Sequence, residues 1–126
     1  MTEEEGRNVE EMSDEAQYRE AVKAMKKGDK SAKTKVAFYK LTGVGGIEID
    51  EYGAVALLEE RAKEGDNEAK WMLGLCCEYG RGTEQNIERA ELLYRQSSQA
   101  GDVVGKFLLE NDKGGRGNGV MIADCL

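Results

Sequence analysis

The sequence contains neither histidine nor proline among its 126 residues. Without histidine, the chain lacks the commonest general base, the usual partner of serine and cysteine nucleophiles, and the most frequent zinc ligand. The absence of proline, together with plentiful Lys, Glu and Ala and no alternating strand pattern, favours helices. We therefore predict an all-α protein that is not an enzyme and binds neither a metal nor another cofactor.

Long apolar runs are also missing, which argues against a membrane-spanning helix and a signal peptide. The three cysteines, Cys76, Cys77 and Cys125, are too few and too closely placed for a disulfide framework. These features predict a cytoplasmic protein that does not contact a membrane.

Basic residues are nowhere in excess. The formal net charge is −7, and most of it comes from the first 20 residues, where eight acidic residues accompany two basic ones. The nearly neutral remainder has no basic patch, so we expect no binding to nucleic acid or to anionic membranes. We predict that residues 1–12 form an acidic, disordered tail.

A repeated unit occupies most of the remaining chain. The dipeptide Gly-Asp begins at residues 28, 65 and 101, at intervals of 37 and 36 residues. A fixed period of this length is typical of stacked helical repeats. Each unit contains helical patterns that follow a capping residue and stop at glycine. The predicted N-terminal caps are Ser13 or Asp14, Asp29, Asp50, Asp66, Asn86 and Asp102.

Small residues recur at fixed helical positions, which allows neighbouring helices to approach closely. The most complete unit combines them with paired glycines in its turn: Ala69, Leu73, Gly74, Gly80, Gly82, Asn86, Ala90, Leu93 and Tyr94. The first copy repeats much of this pattern, at Ala32, Val36, Ala37, Gly43, Gly45, Asp50 and Ala54.

This pattern resembles the Sel-one-like repeat, a helix-turn-helix relative of the tetratricopeptide repeat, over roughly residues 16–117. The sequence departs from the family where a tyrosine is expected, at Lys40 and Cys77, and where a pair of small residues is expected, at Arg61. The resemblance implies a right-handed α-solenoid and a role as an adaptor or scaffold for other proteins.

We predict about two and a half repeats within residues 13–113, with residues 13–27 forming a helix that caps one end. Residues 114–126 are predicted to be a glycine-rich tail or the truncated turn of a third repeat. Each repeat pairs two helices whose apolar face is buried only by stacking on the next pair.

The predicted function is the binding of a protein partner, of unknown identity, in a groove lined by the first helix of each pair. Candidate contact residues lie together on one helix: Lys70, Trp71, Met72 and Glu78. Trp71 has two interpretations, because tryptophan is frequent both at interface hot spots and in partly packed positions.

Other interpretations remain open at this stage. Phe107 and Leu108 precede a glycine-rich segment without an evident cap, which favours stacking on a second copy as a homodimer, on the remainder of a larger protein, or on residues 120–122 folded back. The chain could accordingly be a self-associating fragment or a regulatory subunit of a larger complex. Cys76 and Cys77 could serve an enzyme or a metal protein together with carboxylates. No third ligand or Cys-x-x-Cys spacing accompanies them, so buried apolar packing is the preferred interpretation.

Overall fold

The computed structural model describes residues 12–115, which form six α-helices of 13 residues each and one short 3-10 turn, Val44–Gly46. The helices are α1 (Asp14–Lys26), α2 (Lys30–Thr42), α3 (Glu51–Lys63), α4 (Asn67–Tyr79), α5 (Ile87–Gln99) and α6 (Val103–Gly115). The predicted acidic tail lies outside the described residues except for Met12. The predicted glycine-rich segment also lies outside them, except for Gly114 and Gly115 in α6.

The helices begin at the predicted caps. The side-chain oxygens of Ser13, Asp29, Asp50, Asp66 and Asn86 each accept a hydrogen bond from a backbone N–H in the first turn that follows. These bonds satisfy N–H groups that have no partner within the helix. The predicted helix starts are therefore confirmed.

Three identical joints connect one repeat to the next. At the second joint, the Gly65 N–H donates to the Ala62 carbonyl and the Asp66 N–H to the Arg61 carbonyl. The same two bonds recur at Gly28 and Gly101, and the three glycines have φ between 94° and 101°. This is the Schellman arrangement, in which a left-handed residue closes a helix. The aspartate that completes each closure also caps the following helix.

The Gly-x-Gly turns hold successive repeats in contact. A Cβ atom at Gly82 would overlap the Glu51 carbonyl, at the beginning of α3. A Cβ atom at Gly45 would overlap Asp14, at the beginning of α1. Because Glu51 and Asp14 are equivalent in the repeat, each turn packs on the beginning of the helix that precedes its own pair. Glycine is required here both for close approach and for positive φ.

The helices stack in chain order, and α4 also contacts both α2 and α6. Helices α2 to α5 contribute to one buried cluster: Ala37, Leu41, Ala54, Val55, Leu58, Ala69, Met72, Leu73, Cys76, Cys77, Ala90, Leu93 and Tyr94. Leu108 and Leu109 of α6 pack against it. This continuous core and the all-helical stack of residues 12–115 confirm the predicted α-solenoid.

The two complete repeats fill equivalent core positions differently. Repeat one (α2 and α3) buries the apolar set Ala37, Leu41 and Leu58, whereas repeat two (α4 and α5) buries Gly74, Glu78 and Tyr94. The Tyr94 hydroxyl donates to Glu78 Oε1 at 2.7 Å, and the absent side chain of Gly74 leaves space for the Tyr94 ring. Repeat two thus has a hydrogen-bonded Glu–Tyr pair at the two positions where repeat one has leucines.

Candidate functional site

An open groove of about 530 Å³ runs between α1, α2 and α4. The first helices of both complete pairs, α2 and α4, supply most of its walls, while α1 closes one side. It is lined by Gln17, Glu20, Ala21, Ala24, Asp29, Ser31, Ala32, Thr34, Lys35, Phe38, Tyr39, Glu68, Trp71 and Met72.

Small side chains on α1 and α2 form the base of the groove, and aromatic rings form its walls. Ala21 and Ala32 are buried, so the backbone of both helices lies close to the groove surface. Phe38 is 41% exposed, and its ring meets Tyr39 edge-on at a centroid distance of 5.8 Å. Trp71 is half-buried against the core. The groove therefore presents apolar surface to solvent while its supporting residues are packed.

Tyr39 also connects the groove to α1. Its ring packs edge-to-face with Tyr18 at 5.7 Å, and its hydroxyl donates to Gln17 Oε1 at 3.5 Å. Burial, and then the charge of Asp14, raise the pKa of the Tyr39 phenol above its ordinary value. Tyr39 consequently stays neutral, and its ring lines the groove while it packs against α1.

The charged residues of the groove are mostly acidic. Glu20, Asp29 and Glu68 line it, and Lys35 is the one basic residue among its lining residues. Desolvation, followed by the charges of Asp66 and Asp102, raises the pKa of Glu68. By contrast, the hydrogen bond from the Ser31 hydroxyl is the leading cause that lowers the pKa of Asp29.

Two of the four predicted contact residues lie in this groove. Trp71 is partly exposed in its wall, and Met72 is only 5% exposed. Met72 is therefore mainly a core residue that contributes a small part of the groove lining. Lys70 lies elsewhere, beside a smaller depression of about 240 Å³ that is also lined by Glu59, Arg89 and Leu92.

The prediction that Glu78 lines the groove is wrong. Its side chain is 5% exposed and accepts a hydrogen bond from Tyr94, inside the core of repeat two. A buried carboxylate is costly unless it is hydrogen-bonded, and the tyrosine provides that bond. Charged residues on helices are usually exposed to solvent, so the residue type alone predicts the wrong location for Glu78.

Three further groove residues, Lys35, Phe38 and Glu68, are not among the predicted contact residues. One available signal was the repeat register, because Thr34, Trp71 and Phe107 occupy equivalent positions in successive first helices. Glu68 lies three residues before Trp71 on the same helix face, and Lys35 directly follows Thr34.

The cysteine pair belongs to the core. Cys76 and Cys77 are 2% and 1% exposed. Burial raises the pKa of the Cys76 thiol to about 11, and burial likewise raises that of Cys77. Both therefore stay protonated, which disfavours them as nucleophiles or metal ligands. Among the side chains that the structure describes, those of residues 12–111, no three of His, Cys, Asp or Glu are grouped as a metal site would need.

The residues proposed for self-association differ in exposure. Phe107 is 61% exposed on α6, together with Val103 and Val104, whereas Leu108 is partly packed against the core. None of the helices in residues 12–115 combines the length and apolar character needed to cross a bilayer.

Two solved structures share this architecture. A Sel1 repeat protein from Oxalobacter formigenes superposes with a TM-score of 0.68 at 24% identity, covering 77% of this chain and 38% of that protein. A protective antigen of uropathogenic Escherichia coli strains, which displays an SLR fold, superposes with a TM-score of 0.71 at 22% identity. The match covers 81% of this chain and 22% of the antigen.

These similarities show that the chain has the Sel-one-like repeat fold, as predicted. The chain spans well under half the length of either protein. No protein-family model matches the sequence. No curated protein sequence matches it either.

Proposed function

We propose that this chain, with its Sel-one-like repeat fold, is a protein-interaction module that binds an extended segment of a partner in the groove between α1, α2 and α4. Its role would be that of an adaptor or scaffold, and the cytoplasmic setting stays a prediction. Binding requires a preformed surface with a few anchoring positions.

The observation that carries the proposal is the partly exposed aromatic wall over a packed base. Phe38 and Trp71 leave apolar surface in solvent, and α2 and α4 hold both rings on regular helices. Aromatic anchors in concave, rigid sites dominate the binding energy of many interfaces. Because the base is already packed, little ordering should accompany binding.

The test begins with selection from a displayed library of random short peptides on the immobilised protein. Peptides that are enriched are then titrated against the wild type and against Phe38→Ala, with Trp71 fluorescence and peptide anisotropy as readouts. We expect Phe38→Ala to weaken binding by about tenfold, because truncating an interface anchor commonly costs more than 1 kcal/mol.

Tyr52→Ala provides the matched control. Tyr52 is an aromatic residue on α3, is 80% exposed, and does not line the groove. Its replacement should leave binding unchanged. Peptides that bind Phe38→Ala and Trp71→Ala as tightly as the wild type, with helix content preserved, would refute the groove as the binding surface.

Self-association is a second candidate, favoured by the exposed Val103, Val104 and Phe107 on α6. Sedimentation equilibrium should then show a concentration-dependent dimer that Phe107→Ser weakens. A monomer at all accessible concentrations would remove this candidate without affecting the groove.

A further inference from the structure

We infer that the groove selects partner segments in which arginine or lysine side chains accompany apolar ones. This inference rests on the proposed function and specifies the chemistry of the ligand. Its basis is the combination of exposed aromatic surface with an excess of carboxylates around the same cavity.

The charge balance of the groove favours a cation. Glu20, Asp29 and Glu68 line it against Lys35 alone. Asp29 keeps its negative charge because the Ser31 hydroxyl and backbone N–H donate to its Oδ1 at 2.7 and 3.0 Å. Glu20 has Lys23 at 3.5 Å, but both side chains are more than half exposed, so that pair is weak. A basic ligand would thus meet an attractive field over much of the groove.

Glu68 is the carboxylate most in need of a counterion. Among residues 12–111, whose side chains the structure describes, it forms no salt bridge. Asp66 and Asp102 act on it as like charges, and Lys35 only partly offsets them. Desolvation and like charges disfavour the ionised form of this exposed side chain, as the raised pKa of Glu68 reflects. A ligand cation would offset the like charges and favour the ionised form of Glu68.

The aromatic residues add a second source of cation affinity. Phe38 and Trp71 line the same cavity as the carboxylates, and a guanidinium or ammonium group binds favourably over an aromatic face. The aliphatic stem of Arg or Lys would also cover apolar surface at the base of the groove. An acidic ligand gains neither effect and would be repelled by Glu68.

The first test is the composition of the peptides selected as described above. Those whose binding depends on Phe38 should contain more Lys and Arg, and less Asp and Glu, than the starting library. Their affinity should fall as salt is added, because screening weakens attraction between exposed charges.

Two charge variants should change affinity in opposite directions. With the tightest selected peptide as probe, Glu68→Gln should weaken binding by about two- to fivefold, and Lys35→Gln should strengthen it by about the same factor. Glu88→Gln is the matched control, because Glu88 lies in the first turn of α5 as Glu68 lies in the first turn of α4, but outside the groove. It should have no effect.

The outcomes separate this inference from the proposed function. Peptides that depend on Phe38 but are neutral or acidic, or that respond equally to Glu68→Gln and Glu88→Gln, would overturn the inference and leave the groove as a binding site. If no selected peptide depends on Phe38 or Trp71, the proposed function fails and the inference fails with it. Thermal unfolding of each variant checks that the helices are retained.

Discussion

The absence of a Cβ atom at Gly74 makes room for the Tyr94 ring in the core of repeat two. Gly74 lies where repeat one has Ala37, and a Cβ atom built there would lie 2.6 Å from Tyr94 Cε1. Tyr94 in turn lies where repeat one has Leu58, and both are fully buried. The small and the large residue are therefore a matched pair, and neither can change alone without strain or a cavity.

Gly74→Ala should destabilise the protein by about 1–3 kcal/mol, as overpacking of a filled core does. The measurement is urea unfolding followed by circular dichroism. The informative comparison is a triple variant, Gly74→Ala/Glu78→Leu/Tyr94→Leu, which gives repeat two the residues of repeat one. We expect the triple change to cost less than the sum of the three single changes, because contacting residues are coupled. Strict additivity would contradict the matched-pair explanation.

At this site the sequence predicts the packing role of Gly74 but not the burial of Glu78. Gly74 could be recognised from the sequence as a close-packing position, because small residues recur there. Glu78 shares its repeat position with the apolar Leu41, but its own residue type favours the surface, and its partner Tyr94 lies 16 residues away on another helix. The sequence contains no local signal of such a pair, so the residue type alone suggested a surface position.

At the scale of elements, two arginines join repeat two to repeat one. Arg81, in the turn after α4, donates to Glu51 Oε2 at 2.8 Å and to the Leu41 carbonyl at 2.7 Å. Arg89 of α5 donates from Nη1 and Nη2 to the carboxylate of Glu59 on α3, at 2.9 and 2.7 Å. An arginine that donates two hydrogen bonds in this way fixes the relative position of two helices more firmly than a single ion pair does.

The Arg89–Glu59 pair should make stability depend on pH. The hydrogen bond from Arg89 is the leading cause that lowers the pKa of Glu59 below its ordinary value of 4.5. A lowered carboxylate pKa stabilises the fold above the ordinary value, and this contribution is lost as pH falls through the lowered pKa. Glu59→Gln should therefore be less stable than the wild type near neutral pH, with a difference that shrinks below about pH 4.5.

Glu60→Gln is the control for this measurement. Glu60 is the next residue on α3, and its side chain is 59% exposed beside Lys33. Urea midpoints taken across the acid range should show a smaller and flatter effect for this variant. An equal pH-dependent loss in both variants would mean that the geometry of the Arg89 contact contributes nothing specific.

Helix limits were the most predictable part of the elements, because capping is local. An aspartate or asparagine side chain bonds to an N–H two or three residues along, so residue type and position suffice. Which residues of a helix face the core and which face the groove was less predictable. Met72 and Trp71 are adjacent in sequence, yet one is almost wholly buried and the other lines the groove wall. That difference depends on how α4 lies against α2.

At the scale of the whole molecule, one cluster of buried side chains extends through α2, α3, α4 and α5. The architecture followed from the repeat period, because units with one apolar face must stack. The repeat pattern also predicts a groove along the first helices of the pairs, but it does not predict that α1 closes one side of the groove.

The continuous core should protect Cys76 and Cys77 until the chain unfolds. In a Cys125→Ser background, a chromogenic disulfide reagent should react with them far more slowly than in urea-unfolded protein. Both burial and the raised pKa of the thiols suppress the thiolate. Adding Gly74→Ala should accelerate the reaction, because the exposed state becomes more populated. Rapid reaction in the native protein would instead indicate accessible thiols.

The Gly-Asp joints have a consequence for how such a chain can lengthen. Each aspartate ends one helix closure and starts the next helix, so Asp29–Gly65 and Asp66–Gly101 are blocks with equivalent ends. An in-frame duplication of either block would recreate an existing junction on both sides. The backbone thus permits growth by tandem copying, whereas an insertion inside a joint would remove a helix end and a helix start together.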